Sequence, residues 1–334
     1  MTQQAKPSAR RVAARVEVPA SLRYQGNLPD HLVTPAQPAP ENAWRNVALT
    51  FVVVVFVALA GFYVFRPKAQ VPTATWHPGA VPTASPLATE DPRYNGPPRS
   101  GVAIPAGDLP GWRQTFIEDF NGTDLAERWW TYEGQPDGDP GGWFLPSHVS
   151  QRDGRLIISA SREETPNGNI YATGGISNSR SFSQTYGKFE IRFRMDAGYG
   201  INYVLLLWPT DDRWPPELNI AEDNGKDGRT RLSSTVHYGG HGSPSNYTSR
   251  FLDGEDFTQW HTVGVEWTRD KAVLFLDGQE WGRYEGSIVP RTPMSLAIQA
   301  QAWFCGGNFG DCPNESTPAT VNLEVDWAVA YEPA

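Results

Sequence analysis

The sequence predicts an all-β fold, an antiparallel β-sandwich spanning residues 108–334, preceded by one transmembrane helix. Two observations predict the sandwich: apolar and polar residues alternate along several segments of this region, and turn dipeptides separate those segments. A third observation predicts the helix. Residues 47–65 form a run of 19 residues without a charged side chain, which is long enough to cross a bilayer.

The strand pattern is clearest in two segments of the predicted sandwich. Every second residue of GKFEIRFRM, residues 187–195, is apolar, and VNLEVDWAVAY, residues 321–331, has the same alternation. HTVGVEW (261–267) and KAVLFLDG (271–278) are separated by TRD, which is the spacing of a β-hairpin. No segment beyond residue 108 has a convincing helical period, so many short strands favour a single antiparallel sandwich. Turn signals recur at Asp153-Gly154, Asn167-Gly168 and Asp277-Gly278.

The N-terminal part of the chain divides around the predicted helix. Residues 1–46 contain six prolines and no apolar periodicity, which indicates a disordered tail. Residues 66–107 are rich in proline and are expected to form a linker that holds the domain off the membrane. Lys and Arg are more frequent before the helix than after it, which favours a single-pass protein of the cell membrane with a cytoplasmic N-terminus. A cleaved signal peptide is the alternative, and Arg66-Pro67-Lys68 is a poor cleavage context.

Composition narrows the class of partner. The formal net charge is −9 and only 19% of residues are charged, so a nucleic-acid partner is not expected. The 13 Trp, with 32 Gly and 29 Pro, suggest a turn-rich β protein with stacking surfaces. Cys305 and Cys312 are the only cysteines, and on the external side of a membrane they are expected to form a disulfide. Two free thiols would suit a cytoplasmic protein.

Two acids in WPPELNIAED, residues 214–223, have an unusual spacing. Glu217 and Glu222 are five positions apart, so a regular strand would place them on opposite faces of its sheet. A β-bulge near Ile220-Ala221 would bring Glu217, Asn219 and Glu222 to one face. A retaining glycosidase needs such a pair, because one carboxylate attacks the anomeric carbon while a protonated partner donates to the leaving oxygen. Solvated surface charge is the structural alternative.

ELNIAE, residues 217–222, resembles the E-x-D-x-x-E signature of glycoside hydrolase family 16, in the bulged form of laminarinases and agarases. The resemblance covers roughly residues 108–334. It implies a concanavalin A-like β-jelly-roll sandwich whose concave sheet forms a saccharide cleft, with Glu217 as nucleophile and Glu222 as general acid/base. Further segments that resemble the family are FIEDFNGTDL, RDGRLIISA, YGKFEIRFRM, NYVLLLWP, WHTVGVEWTRDKAVLFLDG and VDWAVAYEP.

The middle position of the motif departs from the family pattern. Asn219 stands where an Asp is expected, and that Asp normally hydrogen-bonds the nucleophile and helps to manage the proton. An amide can donate to Glu217 but cannot titrate. We therefore expect a working enzyme with a shifted pH profile.

Aromatic faces that stack on sugar rings are expected to line the cleft, together with side chains that bond to hydroxyls. The residues expected to contact substrate are Trp208, Trp214, His237, Trp143, Trp303 and Gln301. Trp260, Trp267 and Trp327 lie in alternating strands and are expected in the core instead. A zinc site at His237 and His241 is disfavoured, because two glycines separate them and no acid follows at zincin spacing.

The resemblance also implies a structural calcium on the convex side. Asp326 would be a ligand and the Gly154 carbonyl a candidate donor, whereas a solvent-facing Asp326 is the alternative reading. No cofactor is expected for catalysis. The function expected first is an anchored extracytoplasmic hydrolase of a β-linked polysaccharide, most specifically an endo-β-1,3-glucanase. A transglycosylase on the same scaffold and a non-catalytic glycan-binding protein remain alternatives.

Overall fold

A computed structural model describes residues 100–240, 246–307 and 309–334 of the chain. The predicted tail 1–46, the predicted transmembrane helix 47–65 and residues 66–99 of the predicted linker lie outside these ranges. Within the described ranges, no helix combines the length and the apolar character needed to span a membrane.

The described residues form sixteen β-strands and two short 3-10 helices, Pro146–His148 and Gly286–Ile288. The strands are β1 Trp112–Glu118, β2 Trp130–Thr131, β3 Val149–Gln151, β4 Leu156–Thr165, β5 Gly168–Ala172, β6 Gly175–Ser177, β7 Gly187–Met195, β8 Ile201–Pro209, β9 Glu217–Glu222, β10 Arg231–Tyr238, β11 Asn246–Asp253, β12 His261–Trp267, β13 Lys271–Leu276, β14 Gln279–Glu285, β15 Met294–Ala302 and β16 Thr320–Pro333.

The strands make two antiparallel sheets, which confirms the predicted all-β sandwich. Seven strands lie in the order β11-β10-β9-β8-β15-β6-β2. The other sheet has nine strands, in the order β14-β13-β12-β7-β16-β4-β3, with β1 paired to β16 and β5 paired to β4. The main apolar core lies between the sheets and draws side chains from both. We call the face of the seven-stranded sheet that is turned away from this core the outer face.

The apolar residues of the alternating pattern that predicted the strands are the ones buried in the core. Phe189, Ile191, Phe193 and Met195 of β7 are fully buried in the core. Burying each such side chain contributes roughly 1.5–3 kcal/mol to the free energy of unfolding, so this strand alone is a major part of the sandwich's stability. Trp267 is also fully buried in the core, as expected.

Strand β8 is apolar on both of its faces, which explains why its sequence does not alternate. Tyr203, Leu205 and Leu207 point into the core, whereas Val204 and Leu206 form a small cluster on the other side. Apolar side chains of β8 therefore line the outer face next to β9, the strand that carries the two acids.

Residues 100–107, which the sequence assigns to the linker, contact the nine-stranded sheet. The indole nitrogen of Trp327 donates to the carbonyl of Val102 at 3.1 Å. Ile104 packs against the cluster of Trp327, Val329 and Tyr331. Trp327 is buried as expected, but in this separate cluster rather than between the sheets.

Candidate active site

Strand β9 contains a β-bulge at the predicted position. Its neighbour β8 pairs Leu206 with Asn219 and the preceding Leu205 with Ala221, so Ile220 is the additional residue. Strand β10 shows the same shift, because Thr235 pairs with Asn219 while Ser233 pairs with Glu222. A bulge reverses the alternation beyond it, so residues on either side can share a face.

The bulge separates the apolar residues of β9 from its polar residues. Leu218, Ile220 and Ala221 all pack into the core between the sheets. Asn219 and Glu222 are buried as well but belong to no core cluster, and half-buried Glu217 precedes them. The two acids and the amide therefore share the outer face, as the spacing predicted.

Glu222 accepts a hydrogen bond on each of its carboxylate oxygens. The Thr235 hydroxyl donates to Oε1, and the Asn219 amide nitrogen donates to Oε2 at 3.1 Å. The Ser249 hydroxyl, on the next strand, lies 2.9 Å from that of Thr235. These contacts fix the carboxyl group in one orientation from two strands, which is the preorganisation that an acid/base catalyst requires.

The environment of Glu222 favours its protonated form. Burial raises the pKa of Glu222 to about 7, the Thr235 hydrogen bond opposes this rise, and the negative charge of Glu217 adds to it. Smaller effects come from the charge of Asp223, which raises the pKa, and from the Asn219 hydrogen bond, which lowers it. A carboxylic acid that keeps its proton near neutral pH can act as a general acid.

The residue that follows Glu222 in the chain belongs to a buried ion pair. Asp223 is buried and is paired with the guanidinium of Arg229. Arg229 also donates to the carbonyls of Asp196 at 3.0 Å and Ile201 at 2.7 Å. Burial raises the pKa of Asp223 and the charge of Arg229 opposes that rise. The pair ties the end of β9 to the loop before β8 and so limits movement of the neighbouring acid.

Glu217 is held by an aromatic side chain at the start of its segment. The indole nitrogen of Trp214 donates to Glu217 Oε2 at 2.7 Å. His237 is directly opposite Glu217 on β10, and its ring lies 5.5 Å from that of Trp214. The His237 Nδ1 atom is buried and has no hydrogen-bond partner among the described residues. Trp214 and His237, which the sequence predicts to contact substrate, therefore lie beside the acids.

The hydrogen bond of Asn219 differs from the expectation. The family pattern suggested a bond from this position to Glu217, but the Asn219 amide donates to Glu222 instead. The reason is the bulge, which brings position 219 and position 222 to adjacent places on the same face. Position 219 therefore contacts Glu222 and not Glu217.

Trp208 and Gln301 also lie on the outer face. Half-buried Trp208 packs against the cluster of Val204, Leu206 and Ala297, and its indole nitrogen donates to Asp212 at 3.0 Å. Gln301 on β15 is buried and accepts a hydrogen bond at 3.3 Å from Gln299, two residues earlier on the same strand.

The other two tryptophans predicted to contact substrate, Trp303 and Trp143, lie in loops. Trp303 is enclosed by the loop that follows β15, with Phe304 stacked on it at 5.5 Å. A side chain at Gly307 would collide with its indole nitrogen, at 2.1 Å. Half-buried Trp143 lies in the loop before β3, and its carbonyl accepts the amide of Thr173 at 2.9 Å. No contact recorded within the described ranges joins either tryptophan to the acids.

The predicted disulfide is present between Cys305 and Cys312, with an S–S distance of 2.02 Å. It closes the loop that encloses Trp303. This confirms the expectation drawn from the two cysteines.

The surroundings of Asp326 do not suit calcium. Asp326 is the additional residue at a bulge of β16, and its Oδ2 accepts the backbone amide of Ser100 at 3.2 Å and the Ser100 hydroxyl. The guanidinium of Arg192 donates to the Ser100 carbonyl at 3.2 Å and interacts with the charges of Asp326 and Asp277. A fixed cation beside the carboxylate disfavours a second one.

Gly154 lies in the turn between β3 and β4, and the described ranges contain no group of three or more acidic, His or Cys side chains arranged for a metal ion.

Sequence reasoning missed one residue that covers the outer face. Tyr132 packs against the cluster of Val204, Leu206 and Ala297, and its ring centroid is 5.3 Å from that of Phe144. Gly175 lies directly beneath it, because a side chain there would meet the Tyr132 ring at 2.4 Å. Burial raises the pKa of the Tyr132 hydroxyl, and the charges of Asp212 and Glu217 contribute to that rise. The only signal in the sequence is its place in the aromatic run WWTY.

The chain matches known proteins across this region. Residues 144–329 match the family model of glycosyl hydrolases family 16. Two relatives from Rhizobium meliloti (strain 1021) are named endo-1,3-1,4-beta-glycanases. EglC is 30% identical over 247 residues and ExsH is 28% identical over 244 residues. In both cases the match covers 65% of this chain and 51% of the relative. The chain therefore spans about half the length of each of these two relatives.

A solved structure with the same fold is the catalytic domain of an endo-1,3-beta-glucanase (laminarinase) from Thermotoga petrophila RKU-1. It superposes with a TM-score of 0.59 at 22% identity, and the match covers 66% of this chain and 98% of that one.

Proposed function

Because the chain belongs to glycosyl hydrolases family 16, we propose that it is a retaining endo-β-glycan hydrolase, most specifically an endo-β-1,3-glucanase. One observation carries the proposal: Glu222 has a pKa raised to about 7 and shares the outer face with Glu217. Glu222 is thus suited to donate a proton and Glu217 to attack the anomeric carbon, which is the division of roles that double displacement needs.

In the first step, Glu217 attacks the anomeric carbon while Glu222 gives its proton to the leaving oxygen. The glycosidic C–O bond breaks and an ester to Glu217 forms. Trp214 holds Glu217 through its indole hydrogen bond, and Thr235 and Asn219 hold Glu222, so both groups are oriented before substrate arrives.

In the second step, Glu222 acts as the base. Esterification removes the negative charge of Glu217, and that charge is one of the causes that raise the pKa of Glu222. The pKa of Glu222 therefore falls when the ester forms. The resulting carboxylate takes a proton from water while the water oxygen bonds to the anomeric carbon. The ester bond between that carbon and Glu217 breaks, which frees the Glu217 carboxylate and releases the sugar with its original anomeric configuration.

The proposed substrate is a neutral β-linked glucan. The names of both R. meliloti relatives refer to 1,3-1,4-β-glycan cleavage, and the T. petrophila structure is named as a laminarinase. The side chains around the acids on this chain are aromatic and hydroxyl-bearing, among them Trp214, His237 and Thr235. Such a surface suits a neutral polyhydroxylated chain better than a polyanion.

A glycan-binding protein without catalysis is the second candidate, and Asn219 is the observation that favours it. The amide cannot titrate as the aspartate of the family pattern can. Both glutamates are nevertheless retained and oriented by hydrogen bonds. A purely binding surface would gain nothing from a buried carboxyl group next to a second one, because that arrangement costs folding free energy.

The test is reducing-end release by the full-length chain from laminarin, mixed-linkage glucan, agarose and carrageenan. Release from laminarin that disappears in Glu217→Gln, with the β-anomer as the first product by NMR, supports the proposal. Binding without release would favour the glycan-binding protein. Transfer of the glycosyl group to an added sugar in place of water would identify a transglycosylase, which shares every catalytic residue.

We also propose that the enzyme works outside the cytoplasm, anchored at the cell membrane by residues 47–65. The support is the uncharged 19-residue run and the excess of Lys and Arg before it. The full-length chain should sediment with membranes and lose its domain to protease added to spheroplasts. Release of the domain as a shorter chain in the medium would instead indicate a cleaved signal peptide.

A further inference from the structure

Two aromatic side chains on strand β11 are unusually exposed. Tyr247 is 67% exposed and Phe251 is 61% exposed, more than any other large apolar side chain in the described ranges. They lie four positions apart on the same side of the strand, with Ser249 between them. Exposed aromatic rings grouped in this way are typical of a binding surface. Neither residue belongs to the site described above.

The sheet register aligns these rings with the two acids. Tyr247 is directly opposite His237, which is directly opposite Glu217. In the same way Phe251 is opposite Ser233, which is opposite Glu222. Residues directly opposite each other on antiparallel strands point to the same face, so Tyr247 and Phe251 lie on the outer face, two strands from the acids.

Side-chain contacts confirm that this surface is continuous with the candidate active site. The ring of Tyr247 lies 5.8 Å from that of His237, which lies 5.5 Å from that of Trp214. Between the two exposed rings, the Ser249 hydroxyl is 2.9 Å from that of Thr235, which donates to Glu222. An aromatic path therefore runs from Glu217 to the edge of the sheet, about 10 Å away at two strand spacings.

The charges near the patch are already paired. Arg231 lies 5.7 Å from the Phe251 ring, and its side chain is bound to Asp253 at 2.6 Å and to Asp227 at 3.5 Å. A neutralised guanidinium offers little attraction to an anionic ligand. The surface consists instead of exposed ring faces around a hydroxyl, which suits a neutral ligand with both apolar ring faces and hydroxyls.

We propose that Tyr247 and Phe251 form a secondary binding site for the glucan chain, where it continues past the acids to the edge of the seven-stranded sheet. The site holds sugars that are not cleaved and so gives the enzyme a preference for long chains. This inference rests on the proposed function, because it takes the glucan as the ligand. Its continuity with Trp214 and His237 is the reason to choose glucan over a protein partner.

The experiment compares wild type with Tyr247→Ala, Phe251→Ala and the double variant, using full-length chain and β-1,3-gluco-oligosaccharides of increasing length. Each single change should lower kcat/KM for the longest oligosaccharides and laminarin about two- to tenfold, the range expected for one aromatic stacking contact. The loss should appear in KM and disappear for the shortest substrates. Arg250→Ala is the matched control, because Arg250 lies on β11 but contacts Arg283 and Tyr284 on the other face.

Binding of laminarin to Glu217→Gln, measured by calorimetry, separates failure of this inference from failure of the proposed function. If no glycan is hydrolysed but laminarin binding weakens in the double variant, the secondary site stands and the hydrolase does not. If hydrolysis proceeds and the double variant matches wild type at every length, the secondary site is refuted and the hydrolase stands. A double variant that changes only the oligomeric state would likewise refute the inference, in favour of contact between copies of the chain.

Discussion

Glu222→Gln should make the folded protein more stable at neutral pH while it abolishes catalysis. The pKa of Glu222 is raised from 4.5 to about 7 in the folded state. At about 1.4 kcal/mol per pKa unit, ionising this buried group costs about 3 kcal/mol of unfolding free energy, and glutamine does not ionise. The hydrogen bonds survive, because Thr235 can donate to the new carbonyl. Asn219 can turn its unpartnered Oδ1 toward the new amide.

The raised pKa of Glu222 determines at which pH the Glu222→Gln variant is more stable than wild type. The folded pKa lies above the unfolded one, so the proton on Glu222 stabilises the fold fully below about pH 4.5. That stabilisation is lost as the pH rises to about 7, because the unfolded chain releases its proton first. The gain of the glutamine variant over wild type should therefore be absent at pH 4, grow between pH 4.5 and 7, and reach its full value above pH 7.

Denaturant melts of wild type and Glu222→Gln at pH 4, 5.5, 7 and 8 measure this difference. Glu285→Gln, an exposed residue on β14, is the control and should follow wild type at every pH. Equal stability of Glu222→Gln and wild type from pH 4 to pH 8 would refute the reasoning. It would mean that Glu222 is ionised in the folded state without penalty.

Three further predictions concern the same region and the disulfide loop. Thr235→Val removes a donor to ionised Glu222, so the alkaline limb of the pH–rate profile should move up by about one to two pH units. Thr235→Ser should restore the limb, and a limb that stays in place in the valine variant would exclude the contact. Asn219→Asp should move the same limb upward, because a second carboxylate would face Glu222; an unaltered profile would remove position 219 from proton control. Reducing the Cys305–Cys312 disulfide should lower the unfolding free energy by about 2 kcal/mol in denaturant melts, and identical melts with and without reductant would contradict this.

Strand β9 could be predicted from its sequence because its pattern visibly breaks the alternation of apolar and polar residues. In ELNIAE, Ile220 and Ala221 are consecutive apolar residues between polar ones, and only a bulge lets both reach the core. The strands of the nine-stranded sheet could be predicted equally well, since buried residues such as Phe189 and Ile191 repeat with a period of two. Local patterns of this kind depend only on neighbouring residues.

The rest of the site depends on pairings between distant strands. Thr235 contacts Glu222 because β10 pairs with β9 in one particular register, and nothing within residues 231–238 specifies that register. The partner of Asp326 is another example. Arg192 comes from β7, 134 positions earlier, and the bulge in β16 brings the two charges together. The sequence around Tyr247 and Phe251 predicts only a strand. Their exposure could not be predicted, because it depends on the sheet order that places β11 at an edge.

The additional residue in β9 also bears on how such a strand can change in evolution. If Ile220 were deleted, the strand would become regular and the two glutamates would be four positions apart, an even offset that keeps both on one face. The core would lose one side chain, but neither acid would turn inward. A one-codon deletion at almost any other place in a paired strand reverses every face beyond it. Strand β9 is thus a place where a deletion can shorten the chain by one residue while both glutamates stay on the outer face.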